Sequence, residues 1–122
     1  MSKVLMSIKP EYVNKILSGQ KRFEFRKRQC AKEIDTIIIY ETAPIQLVVA
    51  EVEVVQIIKN SPQQLWEQTK NLAGVEKNFF NQYYYGANIA IAYELGNVTR
   101  YDPPRTLEDY GIKKAPQSYV YI

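Results

Sequence analysis

Apolar and polar positions along the chain change period several times, and each change marks an element. Val4 to Ile8 is a short apolar run that predicts a strand. Pro10 follows in a position suited to the first turn of a helix, where its missing N–H costs nothing. Tyr12, Val13, Ile16 and Leu17 then recur at spacings of three and four, so a helix over about residues 10–18 turns one stripe inward and stops at Gly19. Next the pattern alternates. Phe23 and Phe25 point to one side and Arg22, Glu24, Arg26 and Arg28 to the other, the period of a half-buried strand on which Glu24 and Arg26 share a face.

Thr36 to Glu41 is β-branched and apolar enough for an inner strand, and Pro44 separates it from a longer one, Leu47 to Ile58. In that strand Val48, Ala50, Val52 and Val54 are predicted to share the core face. Ser61-Pro62-Gln63-Gln64 combines an N-cap serine, a first-turn proline and a glutamine three residues on, which announces a helix with Leu65, Trp66, Thr69 and Leu72 on its buried side, ending at Gly74. A second helix is expected from Glu76 to Tyr85, stopping at Gly86, and a strand from Ala87 to Leu95. Asp102-Pro103-Pro104 predicts a turn or extended stretch, Thr106 to Tyr110 one helical turn, and Gln117 to Ile122 a terminal strand. Strands outnumber helices without regular alternation. The expected class is α+β, a small mixed or antiparallel sheet, curled or barrel-like, with helices around it.

Length keeps this to a single domain over residues 1–122, enough chain for one ordinary core. No apolar run approaches the roughly 20 residues of a membrane span, and the N-terminus lacks the pattern of a secretory signal. A cytoplasmic location without membrane association is expected. The single cysteine, Cys30, rules out an internal disulfide and is read as structural. The chain contains no histidine. That excludes Cys-His nucleophiles, ordinary serine triads and histidine bases, and leaves Lys, Glu, Asp and Tyr for acid–base work. Scattered carboxylates define no metal site, and no cofactor is expected.

Net charge is only +3, yet Lys21, Arg22, Arg26, Lys27 and Arg28 gather five of the sixteen basic residues around one carboxylate, Glu24. Lys21 and Arg26 suit phosphate, and Arg adds bidentate or stacking contacts. Glu24 is a poor phosphate ligand but a good acceptor for an exocyclic base amine. Salt bridges to neighbouring arginines would explain it equally. The 10 tyrosines, Tyr83-Tyr84-Tyr85 among them, either stack on single-stranded bases or fill the core. Trp66 is read as core.

Ser7-Ile8-Lys9-Pro10-Glu11-Tyr12, followed by Ile16-Leu17-Ser18-Gly19-Gln20-Lys21-Arg22-Phe23-Glu24-Phe25-Arg26-Lys27, resembles the opening of ASCH domains, relatives of the PUA-like RNA-binding fold. The resemblance rests on the Gly-x-Lys-x-x-Glu-x-Arg spacing and extends to about residue 58, with partial support in Pro116-Gln117-Ser118-Tyr119. It implies a PUA-like barrel with surrounding helices and a cleft where Lys21, Glu24 and Arg26 meet a ligand. It also places the terminal strand, with Gln117 and Ser118, near the lysine-bearing segment.

Some short ASCH proteins are acetylcytidine amidohydrolases in which a lysine assists a threonine three positions later. Lys21 matches that lysine, but Glu24 stands at the threonine's place, so the mechanism does not carry over. A ribonuclease would have Lys21 with Tyr40 or Ser118 stabilise a pentavalent phosphate or move a proton. The leading expectation is an RNA- or nucleotide-binding module with Lys9, Lys21 and Arg26 on phosphate and Glu24 on a base amine. One alternative is a hydrolase of a modified nucleoside, or a ribonuclease, using Lys21 and Glu24. A second is a protein-interaction domain whose basic strand meets an acidic partner. No oligomeric state is legible.

Overall fold

Six strands form one mixed sheet in the order β2-β5-β4-β3-β1-β6, in a computed structural model that describes residues 2–122. The strands are β1 (Ser2–Ile8), β2 (Phe23–Arg26), β3 (Ile34–Glu41), β4 (Leu47–Asn60), β5 (Ala90–Arg105) and β6 (Tyr119–Tyr121). The helices are α1 (Pro10–Ser18), α2 (Pro62–Thr69) and α3 (Lys77–Tyr83), with single 3₁₀ turns at Lys70–Leu72 and Leu107–Tyr110. Only β1 and β3 run parallel; the other pairs are antiparallel. The expected α+β class with a curled mixed sheet is what the chain adopts.

Curvature comes from the long β4–β5 ribbon, whose register slips three times. Each extra residue bends the strand that carries it and tightens the twist. At the first slip Val48 pairs with Arg105 and Ala50 with Arg100, which leaves residues 101–104 bulged out opposite Val49. Pro103 and Pro104 sit in that bulge, where a strand needs no N–H from them. The expected strand Ala87 to Leu95 therefore begins later, at Ala90, and runs ten residues further, through the prolines, to Arg105.

A bulge also corrects the predicted core face of β4. Ile39 pairs with Ala50 and Tyr40 with Val48, so Val49 is the extra residue and side-chain parity switches there. Ala50 and Val52 join the core inside the curl with Val4, Met6, Val13, Ile16, Ile37, Ile39 and Tyr93. Val48 instead packs on the other face with Leu5, Ile38, Tyr40 and Tyr101.

A third apolar group, Phe25, Leu65, Phe80, Tyr84, Ala90 and Ala92, lies under α2 and α3. The Ser61 cap forms as expected, its hydroxyl accepting from Gln64 N–H. Leu65 and Thr69 are buried, Trp66 is half-buried, and Leu72 is exposed because α2 ends at Thr69 before the tighter 3₁₀ turn rotates it outward. Cys30 is buried, its N–H donating to the Tyr93 hydroxyl at 2.8 Å.

Candidate functional site

The sheet order places β2 and β6 at opposite edges, yet one side chain joins them. Arg26 Nη1 donates to Ser118 Oγ at 3.1 Å, just ahead of β6, and Nη2 donates to the Ser7 carbonyl of β1 at 3.3 Å. Ser7 fastens the same seam, its hydroxyl donating to Pro116 O at 2.7 Å and its N–H to Ser118 O at 3.1 Å. The curled sheet is thus laced nearly shut beside the basic segment. A cavity of about 370 Å³ opens there, between the start of α1, β2 and α3.

Local sequence puts the charges into it. Gly19 ends α1 in the left-handed conformation, φ 84°, and reverses the chain toward β2. Lys21 N–H then donates to Lys15 O, and Arg22 N–H to Leu72 O. This threads the Lys21 side chain under the 73–75 loop, where it is 2% exposed. Gly74 makes room: at φ +70°, any Cβ there would collide with the Lys21 stem.

Lys21 Nζ donates to Ala73 O at 2.9 Å and lies 4.8 Å from the Phe25 ring centroid and 5.4 Å from that of Tyr12. Burial is the main influence on this ammonium and lowers its pKa to about 8, against an opposing pull from Glu24. Two of its three N–H bonds find no acceptor among the described residues.

Glu24 is 8% exposed, and its Oε2 pairs with Arg26 Nη2 at 2.9 Å. Arg26 Nε is buried without an acceptor among the described residues. The in-out alternation expected of β2 does not hold, since Glu24 and Phe25 are both buried. Glu24 and Arg26 do share a face, but it looks across the curl at β1 and the approach to β6, not into water. Of the basic residues from Lys21 to Arg28, only Lys27 and Arg28, beyond the end of β2, are exposed.

Lys9 caps α1 at the rim, exposed. The walls are aromatic: Tyr12 from α1, and Phe79, Phe80 and Tyr83 from α3. Burial raises the pKa of both Tyr12 and Tyr83.

Lys9, Lys21, Glu24 and Arg26 thus converge on one cavity, with Ser118 bonded to its edge. Tyr40 does not join them, being buried on the opposite face of the sheet. Gln117 is exposed ahead of β6, which starts only at Tyr119, two residues later than expected. Tyr83-Tyr84-Tyr85 divides three ways. Tyr83 lines the cavity, Tyr84 is core with its hydroxyl between Arg26 O and Ile91 O, and Tyr85 stands 92% exposed. Sequence reasoning missed Ser7, Tyr12 and Phe79 as cavity residues. Apolar periodicity cannot separate an aromatic that fills a core from one that walls a pocket.

A curled sheet closed by such a seam, with Gly-x-Lys-x-x-Glu-x-Arg opening into a cavity, defines the class: a family model of the ASCH domain matches residues 6–105, and the chain belongs to that family. Among solved structures, ASCH from Zymomonas mobilis has a TM-score of 0.89 at 26% identity, covering 98% of this chain and 87% of that one. A tyrosine-to-phenylalanine mutant of that protein gives 0.90 at 24% identity, covering 100% and 91%.

An ASCH domain-containing ribonuclease of Zymomonas mobilis is 28% identical over 92 residues, 75% of this chain and 62% of that protein. The ATP synthase subunit alpha of Ureaplasma parvum is 22% identical over 120 residues, 98% of this chain but 15% of that protein. The large ribosomal subunit protein uL22 of the same species is 21% identical over 120 residues, 39% of its length. The chain spans less than two thirds of each of these three relatives. No described helix is long and apolar enough to cross a membrane.

Proposed function

We propose that the chain acts as one ASCH domain that takes a nucleotide of RNA into this cavity, with Lys9, Lys21 and Arg26 on phosphate or base oxygens and Glu24 on an exocyclic amine. What carries the reading is a single arrangement: the unspent N–H donors of Lys21 beside the buried Glu24–Arg26 pair, inside aromatic walls. Buried polar groups left unpaired are costly, and a base edge offers both acceptors for these donors and an amine for the free oxygen of Glu24. Aromatic walls suit a base removed from its stack. The volume lies at the lower end of small-ligand pockets, about 300–1,000 Å³. The ribonuclease name of one relative points to the same ligand class.

A second reading has its own support. An amine with a pKa of about 8 beside Glu24 can exchange a proton near neutral pH, as a hydrolase of RNA or of a modified nucleoside requires.

Titration with labelled single-stranded RNA, duplex RNA and a panel of nucleosides and monophosphates, at two salt concentrations, tests both. Single-stranded RNA is expected to bind, more weakly at high salt, and Glu24→Gln to weaken it about tenfold by exchanging an acceptor for a donor. Absence of binding by every nucleotide ligand would overturn the proposal. Consumption of a ligand, lost in Lys21→Met, would replace binding with catalysis.

A further inference from the structure

α3 and its C-cap residue Tyr84 carry two pairs of aromatic residues at i, i+4 spacing, and they serve different faces. Phe80 and Tyr84 turn inward, ring centroids 4.8 Å apart, and hold the helix on the sheet. Phe79 and Tyr83 turn toward the cavity rim with rings nearly parallel, 13° between planes and 6.2 Å between centroids. A surface helix normally gives its outer face to polar residues, but here Phe79 is 43% exposed. Tyr12 extends the row, 6.0 Å from Phe79, and Lys27 lies over the Tyr83 ring, its Nζ 4.9 Å from the centroid.

We infer that this row is a second nucleotide subsite, so that the ligand is a single-stranded oligonucleotide: one base enters the cavity, its neighbour stacks on Phe79 and Tyr83, and Lys27 meets the backbone outside. The inference rests on the nucleotide-binding reading and extends it from one base to two. The exposed Phe79 ring, backed by the half-buried and nearly parallel Tyr83, offers a π-face that any base can use. The exposed ammonium groups of Lys9 and Lys27, placed respectively at the cavity rim and over Tyr83, complement a phosphate chain that crosses the row. The ring spacing leaves no gap for a base between Phe79 and Tyr83, so stacking is on the outer face. A duplex, whose bases stay stacked on one another, gains nothing from such a platform.

The test compares dissociation constants of a nucleoside monophosphate, the matching dinucleotide, a single-stranded pentamer, its duplex and a polyphosphate of equal charge. These are measured on the intact chain and on Phe79→Ala and Lys27→Ala, with circular dichroism confirming that both variants are folded. The dinucleotide and pentamer are expected to bind at least fivefold more tightly than the monophosphate, with Phe79→Ala lowering that ratio about fivefold or more. Lys27→Ala is expected to lower it less, and to flatten its salt dependence.

Equal affinity for monophosphate and oligomer, or a ratio unmoved by Phe79→Ala, would overturn the second subsite while leaving the cavity reading intact. Polyphosphate binding as tightly as the pentamer would also overturn it, in favour of plain charge attraction. If neither monophosphate nor oligomer binds, the nucleotide reading falls and the subsite falls with it.

Discussion

Arg26 reaches Ser118 across the gap between the two edges of the sheet, Nη1 to Oγ 3.1 Å, while its Nη2 also holds Glu24 at 2.9 Å. One guanidinium therefore closes the curl and neutralises the carboxylate that faces the cavity. Its planar fork of five donors spread over three nitrogens serves Glu24, Ser7 O and Ser118 together.

The two roles separate by mutation. Arg26→Ala leaves the Glu24 carboxylate buried and unpaired, and is expected to cost about 2–3 kcal/mol in urea unfolding. Ser118→Ala removes one bond at an exposed serine and leaves the ion pair in place, for about 1 kcal/mol or less. A double variant Glu24→Gln/Arg26→Ala is expected to recover part of the Arg26→Ala loss, because the side chain left without its guanidinium is then a neutral amide and not a buried carboxylate. Equal losses for Arg26→Ala and Ser118→Ala would show that closure of the edge, not the carboxylate, is what Arg26 stabilises.

Gly74 supports a second prediction, since two independent constraints meet there. Its φ of +70° disfavours any side chain, and an added Cβ would lie within 2.8 Å of Lys21 Cδ. Gly86 has φ +80° but nothing within 4 Å, so Gly86→Ala measures the backbone cost alone, about 1 kcal/mol. Gly74→Ala is expected to cost clearly more, and to expose Lys21 to amine-reactive labelling as the loop lifts away. Matching losses at the two glycines, with Lys21 still protected, would mean the loop yields without disturbing the lysine.

The elements were legible where periodicity has one meaning. The α1 stripe and the Ser61 cap fall where apolar spacing and capping chemistry place them. What sequence could not reveal depends on distant partners. Val48 leaves the expected face because of a bulge at Val49, which only pairing with β3 creates. The prolines at 103 and 104 continue a strand because the ladder opens around them.

The site divides in the same way. The Gly-x-Lys-x-x-Glu-x-Arg spacing does bring Lys21, Glu24 and Arg26 to one cavity. The burial of Lys21, however, is imposed by Ala73 and Gly74, some fifty residues away in sequence, and no local signal announces it. Tyr40 is excluded by plain alternation along β3, which carries no extra residue: Ile37 and Ile39 face the core inside the curl, and Ile38 and Tyr40 face the other way.

Lys21 also makes stability depend on pH, with a sign opposite to that of the buried tyrosines. Its folded pKa is lowered from 10.5 to about 8, chiefly by burial, so between those values the unfolded chain holds more protons than the folded one. Stability must therefore rise as pH climbs from about 8 toward 10. Integrated over the whole shift, the gain is roughly 3 kcal/mol. Burial pushes the pKa of Tyr84, Tyr93 and Tyr101 up, so above about pH 10 the unfolded chain loses tyrosine protons that the folded chain keeps. Stability then falls again. Urea midpoints measured every half unit from pH 7 to 11 are expected to pass through a maximum near pH 10. Lys21→Met, similar in length and without charge, should be flat up to that point and fall beyond it like the parent. If the parent and Lys21→Met curves ran parallel from pH 7 to 10, Lys21 would have to titrate as a solvated amine, and its place beneath the 73–75 loop would be wrong.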